Sequence, residues 1–156
     1  MTPLNSKLIL ITVIVLTLFF TACGGGHDHG PTPNGLELLV NGEVVAIQEG
    51  TEITYHNNAN AIVVPEGESL EVRVQFFLED GERYDYRTDD GYSLRFNITD
   101  TNVLQADHPI NNDEWLMHLR GESAGTSVIN FELWHVDHSD FDSRNFNVQV
   151  SAPDVD

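Results

Sequence analysis

The chain has 156 residues, which is the length of one domain of ordinary size. The chain has seven Lys and Arg residues and 25 Asp and Glu residues, so its formal net charge is −18. This charge argues against nucleic-acid binding, because phosphate recognition needs a basic face. The single cysteine excludes an internal disulfide and any Cys-rich metal cluster.

The first 22 residues have the pattern of a secretory signal peptide. Lys7 precedes an apolar run of 13 residues, 8–20 (LILITVIVLTLFF), which is shorter than the roughly 20 residues that a membrane-spanning helix needs. The tetrapeptide FTAC at 20–23 resembles the lipoprotein signal of bacteria, in which small residues lead to a cysteine that becomes the lipidated N-terminus. The alternative is an ordinary signal peptide in which the cysteine is incidental.

The resemblance implies that Cys23 is acylated and that palmitate and related chains anchor the protein to a lipid bilayer. It implies a location in the bacterial cell envelope. Gly24 stands where an Asp would retain a lipoprotein at the inner membrane, so the outer membrane is expected, with the periplasmic or surface face left open.

A Gly- and Pro-rich stretch, GGGHDHGPTPN at 24–34, follows the cysteine and predicts a flexible tether over 23–35. It contains His27-Asp28-His29, which we interpret as a place for adventitious metal binding and not as a dedicated site.

Beyond the tether, apolar and polar residues alternate with a period of two, which is typical of half-buried antiparallel strands. An Asn41-Gly42 pair predicts a hairpin within 36–56, with a third short strand after it. Seven further elements are predicted, at 61–64, 69–78, 91–98, 102–104, 114–120, 127–136 and 144–151.

The segment EGESL at 66–70, with FFLEDG at 76–81, resembles the opening of bacterial immunoglobulin-like domains, in which a glycine turn precedes a long strand that ends in an Asp-Gly loop. The strand count and this resemblance imply an all-β domain over 36–151. Its expected architecture is an immunoglobulin-like antiparallel β-sandwich over 61–151, with 36–56 as an extra hairpin and 152–156 as a tail.

The histidines are clustered, and one cluster predicts a metal site. On an extended chain His135 and Asp137 project to one side, and a turn can bring His138 round to them, with Asp140 close by. Imidazoles with carboxylates are ligands for Zn²⁺ or Cu²⁺. If the loops 79–90, 105–113 and 137–143 gather at one end of the sandwich, His108 joins this group.

Two functional interpretations remain. The first is a membrane-anchored extracytoplasmic binding module that holds a divalent transition metal at His135, His138, Asp137, Asp140 and His108, with Ca²⁺ on the loop carboxylates as the alternative ion. The second is a structural lipoprotein that docks to an envelope protein partner, in which the histidines are incidental. An enzyme is not expected, because the sequence offers no nucleotide-binding loop, free thiol or nameable catalytic base.

Overall fold

The computed structural model describes residues 29–56 and 59–153. The predicted signal peptide, Cys23, the first part of the predicted tether and residues 154–156 lie outside this range. Across these described residues no helix has the length and apolar character that crossing a bilayer would require. The strands are β1 (Gly35–Val40), β2 (Glu43–Glu49), β3 (Glu52–Tyr55), β4 (Ile62–Pro65), β5 (Ser69–Phe77), β6 (Tyr92–Ile98), β7 (Leu104–Asp107), β8 (Leu116–Gly121), β9 (Gly125–His135), β10 (His138–Asp142) and β11 (Phe146–Ser151).

The strands form two sheets. The first has the order β3-β2-β1-β5-β8-β7, and all of its pairs are antiparallel. The second has the order β10-β9-β11-β4, with β6 on the opposite edge of β9. The prediction of a β-sandwich is therefore confirmed, and its outline is compatible with an immunoglobulin-like fold. One detail of the prediction is wrong, because β4 and β11 run parallel.

The core lies between the two sheets, where the inward residues of each alternation pack together. In β5 and β9 the burial follows the predicted period of two, because successive side chains of a strand point to opposite faces. The most deeply buried apolar residues come from both sheets: Leu36, Leu38, Val72, Val74, Phe76, Met117 and Leu119 from the first, and Leu94, Ile129, Phe131, Leu133, Phe146, Val148 and Val150 from the second.

The predicted hairpin is present, but it is not an appendage. Asn41 and Gly42 have φ angles of 53° and 80°, the positive values that a tight two-residue hairpin turn requires. β1 lies between β2 and β5, so the segment that was expected to be extra builds half of the first sheet. β1 buries Leu36 and Leu38 completely, so this segment contributes to the core of the sandwich.

The segment 137–143, predicted as a loop, contains the edge strand β10. Its sequence, HSDFD, has one apolar residue and no alternation of the kind that marks a half-buried strand. β10 pairs with the end of β9 through a register shift between Ser139 and Phe141. The predicted candidate metal ligands therefore lie on a β-hairpin at the edge of a sheet.

Candidate metal centre

The β9–β10 hairpin places two imidazoles side by side. His135 and His138 are direct cross-strand partners, joined by a two-residue turn at Val136 and Asp137. Val136 has a φ of 52°, which is unfavourable for a β-branched residue. The register shift that follows leaves Asp140 without a direct partner in β9, and such bulges re-aim a side chain.

Four side chains converge at this hairpin, three from the hairpin itself and one from the segment before β1. They are His29, His135, His138 and Asp140, and one potential ligand atom from each lies within 4.8 Å of all the others.

The distances between these atoms resemble those of a coordination shell. His29 Nδ1 is 3.1 Å from His135 Nδ1, Asp140 Oδ2 is 3.6 Å from His135 Nδ1, and Asp140 Oδ1 is 2.9 Å from His138 Nε2. In a tetrahedral zinc site with bonds of about 2.0–2.1 Å, neighbouring ligand atoms lie roughly 3.3 Å apart. These three distances bracket that value, and all four ligand atoms lie within 4.8 Å, so the side chains would draw somewhat closer together to bind one small cation.

The ring of His135 is held in an orientation suited to a ligand. The side chain is 1% exposed and stacks on Tyr92, with ring centroids 4.2 Å apart and planes 12° from parallel. Its Nε2 lies 3.2 Å from the carbonyl oxygen of Asp90, which can only accept, so Nε2 carries the hydrogen. The lone pair of the neutral ring is then at Nδ1, the atom that faces His29 and Asp140.

The ring of His138, on the solvent side, differs because both of its nitrogens face a carboxylate. Its Nδ1–H donates to Asp137 Oδ1 at 2.9 Å, and its Nε2 lies 2.9 Å from Asp140 Oδ1, so Nε2 has to give up its hydrogen before it can bind a metal ion. The hydrogen bond to Asp137, together with the charges of Asp140 and Asp137, raises the pKa of this imidazole above its usual value. Metal-binding histidines in proteins regularly pass their second N–H to a carboxylate or a carbonyl, and here both rings do so.

A 3-10 turn, Thr88–Asp90, supplies the carbonyl that orients His135. Gly91 ends this turn with a φ of 91° and receives the backbone N–H of Val136 at its carbonyl oxygen, 3.0 Å away. A Cβ on Gly91 would lie 2.9 Å from a methyl of Val136, so only glycine allows the turn to come this close to the hairpin.

Two tyrosines hold the segment that carries His29. The hydroxyl of Tyr92 accepts the N–H of Gly30 at 2.7 Å, and the hydroxyl of Tyr86 donates to the carbonyl of Pro31 at 2.5 Å. Burial raises the pKa of both phenols, so they remain protonated and act as hydrogen-bonding groups. These hydrogen bonds to the two residues that follow His29 position it beside the hairpin.

Of the five residues predicted from the sequence, the structure brings three into this cluster: His135, His138 and Asp140. Asp137 is not one of the four potential ligands, and its carboxylate orients the ring of His138 by a hydrogen bond.

The expectation that His108 joins the group is not met in the structure. Its Nε2 is 2.7 Å from the carbonyl oxygen of Glu114, and its ring packs against Phe96. Phe96 pairs with Phe131, four residues before His135 on β9, which corresponds to about 13 Å along the strand.

The fourth member of the cluster, His29, was assigned to the tether by sequence. It lies 106 residues from His135 along the chain, and no local pattern connects the two. The one signal available was its place in the His-Asp-His triplet, which does not indicate where the segment packs.

No protein-family model matches this chain, and no curated protein matches it. Among solved structures, it is similar to domains 5-6 of the S-layer protein SbsC, with 11% identity and a TM-score of 0.42 over 60% of this chain and 41% of that chain. A structure of SbsC domains 4 and 5 gives 12% identity and a TM-score of 0.38 over 74% of each chain. The chain thus spans less than half of the first structure.

Proposed function

We propose that this protein is a binding module for a divalent transition metal, with His29, His135, His138 and Asp140 as the ligands. The observation that supports it most is the convergence of three imidazoles and one carboxylate on a common point, with their ligand atoms within 4.8 Å of one another. The two hairpin imidazoles also have their second nitrogen engaged by an acceptor, at Asp90 and Asp137.

The donor set favours Zn²⁺ or Cu²⁺ over Ca²⁺. Three nitrogens and one carboxylate suit borderline and softer cations, whereas Ca²⁺ takes six to eight oxygen ligands. Zn²⁺ accepts four ligands in a tetrahedron, so the side chains named here would fill its coordination shell. This arrangement is that of a holding site, and it provides a reason to expect binding without catalysis.

The proposal includes an envelope location and a lipid anchor at Cys23. It is supported by the apolar run at 8–20 and the FTAC tetrapeptide at 20–23, which have the features of a bacterial lipoprotein signal. The chain would then present a metal site within a few residues of a membrane surface.

Calorimetry with ZnCl₂ and CuCl₂ on the detergent-solubilised full chain, purified without a His-tag, tests the metal site. We expect one equivalent to bind, and binding to persist in about 0.5 M NaCl, because salt screens the attraction of the acidic surface and not direct coordination. Binding that disappears in this salt would mean that the acidic surface merely collects cations.

The matched variants remove equal numbers of imidazoles. The double variant His135→Ala, His138→Ala should bind zinc at least about a hundredfold more weakly than the parent. The control His56→Ala, His118→Ala removes two rings outside the cluster and should bind as the parent does. Equal affinity of the parent and the first double variant would overturn the proposal, and the structural interpretation without a metal site would replace it.

A further inference from the structure

We propose that the metal ion fastens the segment 29–34 to the sandwich, so that metal occupancy controls how closely the domain is tied to its N-terminal attachment. This inference rests on the proposed function. It follows from the origin of the ligands, because His135, His138 and Asp140 belong to one hairpin whereas His29 precedes the first strand.

The segment is attached to the sandwich at both of its ends. At its C-terminal end, Asn34 donates its N–H to the carbonyl of Phe77 at 2.9 Å and accepts the N–H of Gly50 at 3.0 Å. At its N-terminal end Gly30 donates to Tyr92, Tyr86 donates to Pro31, and His29 Nδ1 lies 3.1 Å from His135 Nδ1.

The N-terminal attachment by itself is weak, because these few hydrogen bonds contribute little net free energy against the ordering of several residues. A cleft of about 370 Å³, lined in part by His29, Tyr84 and Arg87, also lies between this segment and the 84–90 loop. Water can therefore reach the segment, and a bond from a metal ion to His29 would add a much stronger link.

Fastening would shorten the tether. Counted from Cys23, the proposed lipidation site, the chain reaches His29 in six residues and Gly35 in twelve. A fully extended chain spans at most about 3.5 Å per residue. The first residue held by the sandwich can therefore lie up to roughly 42 Å from the lipid when that residue is Gly35, but only up to roughly 21 Å when it is His29. A metal-loaded domain would stay at the membrane surface, whereas the metal-free domain could move away from it.

Linkage gives a second consequence. If metal binding favours the docked segment, then docking favours metal binding by the same factor, and a change that weakens docking lowers metal affinity by up to the factor by which docking falls. Removing the Tyr86 hydroxyl, which holds Pro31, should therefore lower zinc affinity although Tyr86 is not a ligand. That effect has to vanish once His29 is absent, because docking then no longer involves the metal.

The experiment measures amide hydrogen exchange of Gly30 and zinc affinity in the detergent-solubilised full chain. We expect zinc to slow the exchange of Gly30 at least about tenfold in the parent and in the matched control His56→Ala, but not in His29→Ala. We expect His29→Ala to bind zinc at least about tenfold more weakly than the parent.

The variant Tyr86→Phe completes the test. It should weaken zinc binding about fivefold in the parent and leave it unchanged in the His29→Ala background. Zinc that binds the parent and His29→Ala equally, with no change in Gly30 exchange, would overturn the fastening while leaving a site on the hairpin. Absence of zinc binding to the parent would instead overturn the proposed function itself.

Discussion

His135 and His138 are both proposed ligands, yet they should differ sharply in what they contribute to the metal-free fold. His135 is 1% exposed, stacks on Tyr92 and donates to the carbonyl of Asp90, whereas the side chain of His138 is 45% exposed. His135→Ala removes a hydrogen bond of about 1 kcal/mol, an aromatic contact of roughly 0.5–1.5 kcal/mol and the packing of a buried ring. The free energy of unfolding should therefore fall by about 2–3 kcal/mol, which lowers the melting temperature by about 10 °C in a domain of this size.

The assay is thermal unfolding, followed by circular dichroism, of the full chain in detergent with EDTA and then with zinc. With EDTA, His138→Ala should melt close to the parent, because its interactions with carboxylates are largely solvated. At free zinc of about 100 times the dissociation constant, the parent should gain about 2.7 kcal/mol, and both variants should lose most of that gain. Equal destabilisation of the two variants in EDTA, or a full zinc-induced shift in either one, would refute this reasoning.

Three further predictions concern the sandwich and its anchor. Burial alone would raise the pKa of the Asp113 carboxyl, but hydrogen bonds from Arg73 and from a backbone N–H, with the charge of Arg73, lower the pKa below 3.8. The ionised carboxylate therefore stabilises the fold above that pH, and this stabilisation is lost as the pH falls through the lower pKa of the folded state. Asp113→Asn should cost at most about 1 kcal/mol at pH 7 in urea titrations, since the pair is partly exposed, and the difference from the parent should shrink towards pH 2. Val72→Asp buries an unpaired charge at a residue with no exposure, so the variant should be unfolded when examined by circular dichroism. Val63→Asp, at a position 51% exposed, should remain folded. An unfolded Val63→Asp would contradict the assignment of buried and exposed faces. Intact mass of protein extracted from membranes should show cleavage before Cys23 and added acyl chains. Protein cleaved before Cys23 but without added acyl mass would rule out the lipid anchor.

Most of the sandwich could be predicted because the residue patterns that specify its strands and turns are local in the sequence. In β5 and β9, apolar residues recur every second position, and one face of each strand is buried as a result. The turn at Asn41 and Gly42 has the residues that tolerate positive φ, so the first hairpin was also visible in the sequence. β10 was missed because it is a polar edge strand, whose pairing with β9 depends on the turn and not on a buried face.

The candidate metal centre was predictable only where its ligands are neighbours in the chain. His135, His138 and Asp140 lie within six residues, so a single hairpin was enough to bring them together. The placements of His29 and His108 depend on tertiary packing. The position of His29 is set by tyrosines that lie 55 or more residues away along the chain. The position of His108 is set by the carbonyl of Glu114 and the ring of Phe96, which no spacing rule identifies.

This difference between local and distant ligands also determines what a bound metal would do for stability. An unfolded chain retains the hairpin sequence HVDHSD at 135–140, so its imidazoles can still bind metal weakly, and any such binding reduces the stabilisation of the folded state. His29 is 106 residues away from His135 along the chain, and it is the folded sandwich that brings the two side chains together. Removal of His29 should therefore reduce the stability gained on adding zinc by more than the zinc affinity of the hairpin alone would indicate. A bound metal would then favour the fully assembled sandwich with its N-terminal segment docked.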